Sequence, residues 1–171
     1  MKTLHLLRKL ISFIYGLFLI VFVIFILVVL YTTLSGNEFS DKLTFTNYEI
    51  SNTFQIKILL CVYTVITSAY IYTLYLFKKL VYDFSPKNIF SSLQIFYLSR
   101  IGRLIIGITI SEVITNFLLK LFYKNSFEVG MESGRLFENY FFIIAVGLFF
   151  IFLSEIFKIA KNQKEENELT I

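Results

Sequence analysis

The chain has 171 residues, 57% hydrophobic and 16% charged, with a formal charge of +4 and a mean hydropathy of +0.74; ordinary soluble domains are roughly 45–50% apolar and about 25% charged. One domain of this length cannot hide so much apolar surface from water, so the bilayer is its solvent. A lone cysteine, Cys61, and a lone histidine, His5, exclude an intramolecular disulfide, most zinc sites and most Cys/His nucleophiles, and the positive charge flanks the apolar runs, where it sets orientation and meets lipid headgroups rather than nucleic acid.

Lys2, Arg8 and Lys9 precede the first apolar stretch, Leu10 to Leu34. From Leu17 to Leu30 it is apolar on every face, as suits a helix surrounded by lipid. A strand there would leave unpaired backbone groups in hydrocarbon, whereas a helix satisfies them internally. The run exceeds the ~7–15 residues of a signal-peptide core and no small-residue cleavage site follows, so it is expected to be a retained anchor. An acidic connection follows, with Glu38, Asp41 and Glu49 against Lys42. The second stretch, Phe54 to Phe77, again matches the ~20 residues that cross a bilayer. Within it Thr64, Thr67 and Ser68 can bond back to their own helix. Cys61 is expected to be a small lipid-embedded or packed hydrophobe, because lipid disfavours a thiolate.

The second connection and its flanks are basic, with Lys78, Lys79, Lys87, Arg100 and Arg103. Ser85-Pro86 predicts a helix start, with Ser85 as N-cap and Pro86 at the first helical position. From Pro86 to Arg103, residues Ile89, Phe90, Leu93, Phe96, Tyr97 and Ile101 share one face, while Lys87, Ser91, Gln94, Ser99 and Arg103 lie largely on the other. That pattern predicts an interfacial helical extension leading into the third span. The third and fourth stretches run from Ile101 to Phe122 and from Tyr140 to Phe157, and a charged tail covers Lys158 to Ile171. The third connection mixes Lys124 and Arg135 with Glu128, Glu132 and Glu138. Basic residues before the first span, around the second connection and after the fourth place both ends in the cytoplasm. The fold class is therefore all-α: a single polytopic domain with four transmembrane helices.

Two carboxylates fall within the last two spans. Glu112 lies near the middle of the third, where a charge costs at least a few kcal/mol. Two readings of it stand open: an intramembrane proton or cation site, and a hydrogen-bonded packing residue between helices. Glu155 lies near the inner end of the fourth span, level with Arg100 and Arg103, which predicts a charge-assisted ion pair with one of them; for Arg100 the alternative is snorkelling to lipid phosphates. Ser99, Arg103, Gly107, Ser111 and Thr115 recur every four residues on the third span, and Gly147 and Ser154 are seven apart on the fourth. Small residues so spaced predict a helix-packing seam. Tyr31, Tyr48, Tyr82, Tyr123 and Tyr140 fit interfacial aromatic belts.

Phe84-Ser85-Pro86-Lys87-Asn88, Arg100-Ile101-Gly102 and the terminal run from Leu153-Ser154-Glu155-Ile156-Phe157-Lys158 to Glu168-Leu169-Thr170-Ile171 together resemble the DUF2975 family of bacterial integral membrane proteins of unknown function. The sequence departs from that pattern at Lys87, where an acidic residue is common, in several residues inserted between Asn88 and Arg100, and at Ala160, where glycine is usual. The resemblance implies four spans in the bacterial cytoplasmic membrane and a small helix-turn-helix regulator as a partner.

No nucleophile stands with a base and no metal constellation is visible, so neither enzyme activity nor a cofactor is expected. The leading expectation is a non-enzymatic membrane protein that senses a membrane condition or binds a cytoplasmic regulator. The alternative is a small proton- or cation-coupled carrier or channel subunit using Glu112. The bilayer is the expected partner, self-association stays open, and direct nucleic-acid binding is not expected.

Overall fold

Each apolar stretch folds as a helix longer than itself, because flanking polar residues continue the backbone ladder once lipid has enforced it. The computed structural model describes residues 2–34, 44–45, 48–49, 53–84, 90–123 and 132–169. They form α1 (Lys2–Leu34), β1 (Thr44–Phe45), β2 (Tyr48–Glu49), α2 (Thr53–Asp83), α3 (Ser92–Tyr123) and α4 (Glu132–Leu169). β1 and β2 pair antiparallel, with Thr44 opposite Glu49 and Phe45 opposite Tyr48, a ribbon in the connection between α1 and α2. All four helices contain a stretch long and apolar enough to cross a membrane: Leu4–Leu34, Ile56–Asp83, Ser92–Leu119 and Asn139–Glu168. The chain is an all-α polytopic membrane protein.

Consecutive helices pack on one another: α1 on α2, α2 on α3, and α3 most extensively on α4. Only 6% of the most apolar window of α1 is buried within the protein, so α1 is mainly a lipid-facing anchor. Two apolar clusters hold the row together. At one end Val29 of α1 meets Ile56, Leu59 and Leu60 of α2 and Leu119 of α3. At the other, Leu76 and Leu80 of α2 meet Leu98 and Ile101 of α3, with Phe150, Leu153 and Phe157 of α4 packed against them. Edge-on ring pairs add to the second cluster, Phe77 with Phe150 at 6.2 Å and Phe90 with Phe157 at 5.3 Å.

The α3–α4 crossing depends on two glycines. A methyl group on Gly102 would fall 2.5 Å from the Gly147 carbonyl oxygen and 2.7 Å from Ile151 Cγ1. One on Gly147 would fall 2.7 Å from Ile106 Cγ1 and 3.0 Å from the Gly102 carbonyl oxygen. Small residues let two backbones touch, which is how helices gain dispersion energy in lipid.

The expected seam on α3 lies on the wrong face. Gly107 and Ser111 are exposed, a methyl on Gly107 would meet nothing within 4 Å, and Ser111 donates to the Gly107 carbonyl. Ser99 is occupied by Arg103 of its own helix. Leu98, Ile101, Ile108 and Thr109, all buried, turn the Gly102 side inward instead. On α4, Gly147 and Ser154 do lie against α3.

Gly102→Ala is expected to lower the unfolding midpoint of the detergent-purified protein through a clash costing about 1–3 kcal/mol. Gly107→Ala should leave it unchanged or raise it, alanine being the better helix former by about 1 kcal/mol. Equal midpoints for the two variants would refute the crossing.

Candidate functional site

Polar side chains concentrate where the start of α1, the end of α2, the start of α3 and the C-terminal part of α4 come together. The last carbonyls of α2 have no partner in their own helix. Arg8 of α1 supplies one: its guanidinium donates to the carbonyls of Val81 at 3.4 Å, Tyr82 at 3.1 Å and Phe84 at 2.8 Å. A cation at a helix C-terminus is also favoured by the helix dipole. The same guanidinium lies 5.6 Å from the Tyr82 ring centre.

Ser91 and Gln94 close the N-terminus of α3 as a reciprocal capping box. The Gln94 N–H donates to Ser91 Oγ at 3.1 Å, and the Ser91 N–H donates to Gln94 Oε1 at 3.4 Å. The box is then tied to α2. Ser91 Oγ donates to Asp83 Oδ2 at 2.6 Å, and Gln94 Nε2 donates to the Asp83 carbonyl at 3.2 Å. Gln94 is fully buried. Two bonds bring in α4: Ser154 Oγ donates to the Ile95 carbonyl at 2.9 Å, and Lys161 Nζ donates to Ser92 Oγ at 2.7 Å.

The described residues begin α3 later than the expected helix start. Ser85 and Pro86 lie outside the described residues, Phe90 is in a turn, and the helix begins at Ser92. The segment Ser92 to Arg103 is the first three turns, approximately, of α3 itself, continuous with the span. Gln94, expected on the polar face, faces the protein interior because it completes the cap and holds Asp83.

The expected ion pair with Glu155 does not form among the described residues. Arg103 donates to the Ser99 carbonyl at 3.3 Å and to Ser99 Oγ at 3.0 Å. Arg100 places its guanidinium 5.3 Å over the Phe96 ring. Glu155 is exposed. Ser154, one residue earlier, is the position that faces α3, and the ~100° rotation per residue carries Glu155 off the interface.

A second polar cluster lies deeper. Tyr70 of α2 donates its hydroxyl to Glu112 Oε1 at 2.9 Å. One turn along α3, Asn116 Nδ2 donates to the Tyr140 hydroxyl of α4 at 2.7 Å. Tyr63 is within electrostatic reach of both Glu112 and Tyr140. Glu112 and Asn116 continue the inward row of Leu98, Ile101, Ile105 and Ile108, so both join neighbouring helices. Among the described residues no three His, Cys, Asp or Glu side chains gather as metal ligands.

A family model described as a protein of unknown function, DUF2975, matches residues 41–171. The chain belongs to the DUF2975 family. The matched part of this DUF2975 protein contains Asp83, Ser91, Gln94, Ser154 and Lys161, while Arg8 and the rest of α1 precede it. No curated protein and no solved structure matches.

Gln94→Leu keeps the volume but strips partners from Asp83 and Ser91, and is expected to destabilise the protein by about 1–3 kcal/mol. Ser91→Ala should cost about 1 kcal/mol, and Tyr70→Phe about 0.6 kcal/mol, the average for a hydrogen bond between membrane helices. Chemical unfolding in mixed micelles measures all three. A Gln94 effect no larger than that of Tyr70 would sink this ranking.

Proposed function

We propose that this DUF2975 protein is a non-enzymatic protein of the bacterial cytoplasmic membrane, with the start of α1 and the end of α4 on the cytoplasmic side, and that it binds a small helix-turn-helix regulator through the protruding part of α4. The supporting observation is the length of that helix. Its 38 residues extend about 57 Å at 1.5 Å per residue, against about 30 Å of hydrocarbon. Residues 162–168 are exposed along their whole run. Lys161 pairs with Glu165 at 3.5 Å and Lys164 with Glu168 at 3.6 Å, each four residues apart. Such pairs add only about 0.3–0.5 kcal/mol each, but the Lys161–Ser92 bond fixes the root of the segment. A preformed helix binds a partner at a smaller ordering cost than a loose tail. Basic Arg8, Lys9, Lys78, Lys79, Arg100 and Arg103 at this end support the cytoplasmic orientation.

Truncation after Lys161 tests the reading. The shortened protein should insert and unfold like the full chain, yet no longer co-purify the small helix-turn-helix regulator that the full chain retains. Undiminished co-purification would eliminate the tail as the binding element.

The alternative of a proton- or cation-coupled carrier or channel subunit draws on Glu112, a carboxyl between helices and surrounded by tyrosines. Liposomes holding the protein should then show a proton or cation flux that Glu112→Gln abolishes; absence of flux removes this alternative. Regulator binding is the stronger reading, because Tyr70 already gives Glu112 a packing role while residues 162–168 of the α4 extension are exposed.

A further inference from the structure

We propose that Lys79 of α2 and Arg100 of α3, with the rings around them, form a binding site for the phosphate of an anionic phospholipid, in the leaflet nearest the start of α1 and the end of α4. The two cations occupy one face and one depth. Leu80 and Leu98 share a buried cluster, and Lys79 and Tyr97 are their immediate chain neighbours. The Lys79 ammonium lies 4.9 Å over the Tyr75 ring, and Tyr97 and Tyr72 are within its electrostatic reach. On α3, Arg100 stands three residues after Tyr97 and four after Phe96, so it emerges between those two rings. Its guanidinium lies 5.3 Å over Phe96, and the Phe96 and Tyr97 rings are 5.9 Å apart. Ring and cation contacts thus join Tyr75 to Lys79 on α2 and Tyr97 to Phe96 and Arg100 on α3, with Tyr97 within electrostatic reach of Lys79 across the α2–α3 junction.

Several other cations at this end are engaged elsewhere, Lys78 among them, 5.0 Å over the Tyr15 ring of α1. Arg8 is used by the carbonyls closing α2, Arg103 by Ser99, and Lys161 and Lys164 by glutamates. Among the described residues Lys79 meets the Tyr75 ring and hydroxyl, Arg100 meets the Phe96 ring, and neither has a carboxylate within ion-pair distance. Both are exposed, so either can leave its ring for an anion. A guanidinium fork fits two phosphate oxygens, the ammonium adds a point charge, and the tyrosine hydroxyls offer further donors.

The occupant is a lipid and not a free anion because of what frames the charges. Tyr72 and Phe96 are each 48% exposed and Leu93 is 54% exposed, and large apolar surface of this kind is covered when the phosphate arrives with acyl chains. A basic residue at an anionic headgroup layer contributes about 1 kcal/mol.

The full-length protein in phosphatidylcholine nanodiscs, titrated with spin-labelled phosphatidylglycerol or spin-labelled phosphatidylcholine, tests the site. Wild type should prefer phosphatidylglycerol. Lys79→Gln with Arg100→Gln should weaken its association about thirtyfold and leave phosphatidylcholine unaffected. Lys79→Arg with Arg100→Lys preserves charge and should keep the preference, which guards against a glutamine variant that fails to fold. Lys161→Gln with Lys164→Gln should have no effect. An unchanged preference in the folded glutamine variant would overturn the proposal. So would an equal loss in the Lys161/Lys164 variant, or displacement of the labelled lipid by inorganic phosphate at the lipid's own concentration. Truncation after Lys161 removes neither cation, so lipid preference and regulator binding fail independently.

Discussion

The backbone contact between Gly102 and Gly147 sets the distance and register of α3 and α4, and the bonds nearer the termini depend on that register. From this crossing the helices run on together, so that Ser154 reaches the Ile95 carbonyl, Phe157 meets Phe90 and Lys161 reaches Ser92. Lipid offers helices no hydrophobic reason to associate, since acyl chains are as apolar as leucine. Close approach and interhelical hydrogen bonds must do that work, and here both act on the same pair. α1 makes much less contact and owes its place largely to Arg8 and to the cluster around Val29.

The polar end shows how a membrane protein tolerates Gln and Asp between helices. Among the described residues, no buried side-chain nitrogen or oxygen lacks a hydrogen-bond partner. Gln94 uses both ends of its amide, one in its own cap and one on α2. Asp83 receives Ser91 on its carboxylate and Gln94 on its carbonyl. Termination of α2, initiation of α3 and the tether between them are therefore one network, and each component satisfies a backbone group that would otherwise face an apolar surrounding.

The membrane class and the four spans were legible because four predominantly apolar stretches of about 20 residues leave no soluble alternative. Rotation about the helix axes was not. Small residues occur on both sides of α3, so spacing alone picked Ser99, Gly107 and Ser111 where the bulk of Leu98, Ile101 and Ile108 turns Gly102 inward. Glu155 was assigned to the wrong azimuth and the wrong depth: with Ser154 on the Ile95 carbonyl and Gly147 against Gly102, it stands level with about Gln94, well short of Arg100 and Arg103. The cap of α3 was readable as Ser91-x-x-Gln94 beside an equally good start signal, Ser85-Pro86, which lies outside the described residues. Arg8 carried no local signal, because its partners lie more than seventy residues away.

α4 continues without a break from Gly147 to the charged residues near Leu169. Glu168 stands 21 residues beyond the glycine crossing, about 32 Å along the axis. Because Ser154 and Lys161 fasten α4 to α3, the two helices together form a lever with its fulcrum inside the bilayer. A tilt of about 5° at the fulcrum moves the far end by about 3 Å, roughly the rise of two residues. Force applied to the tail in water and a change in lipid packing around the crossing are, mechanically, two ends of the same beam.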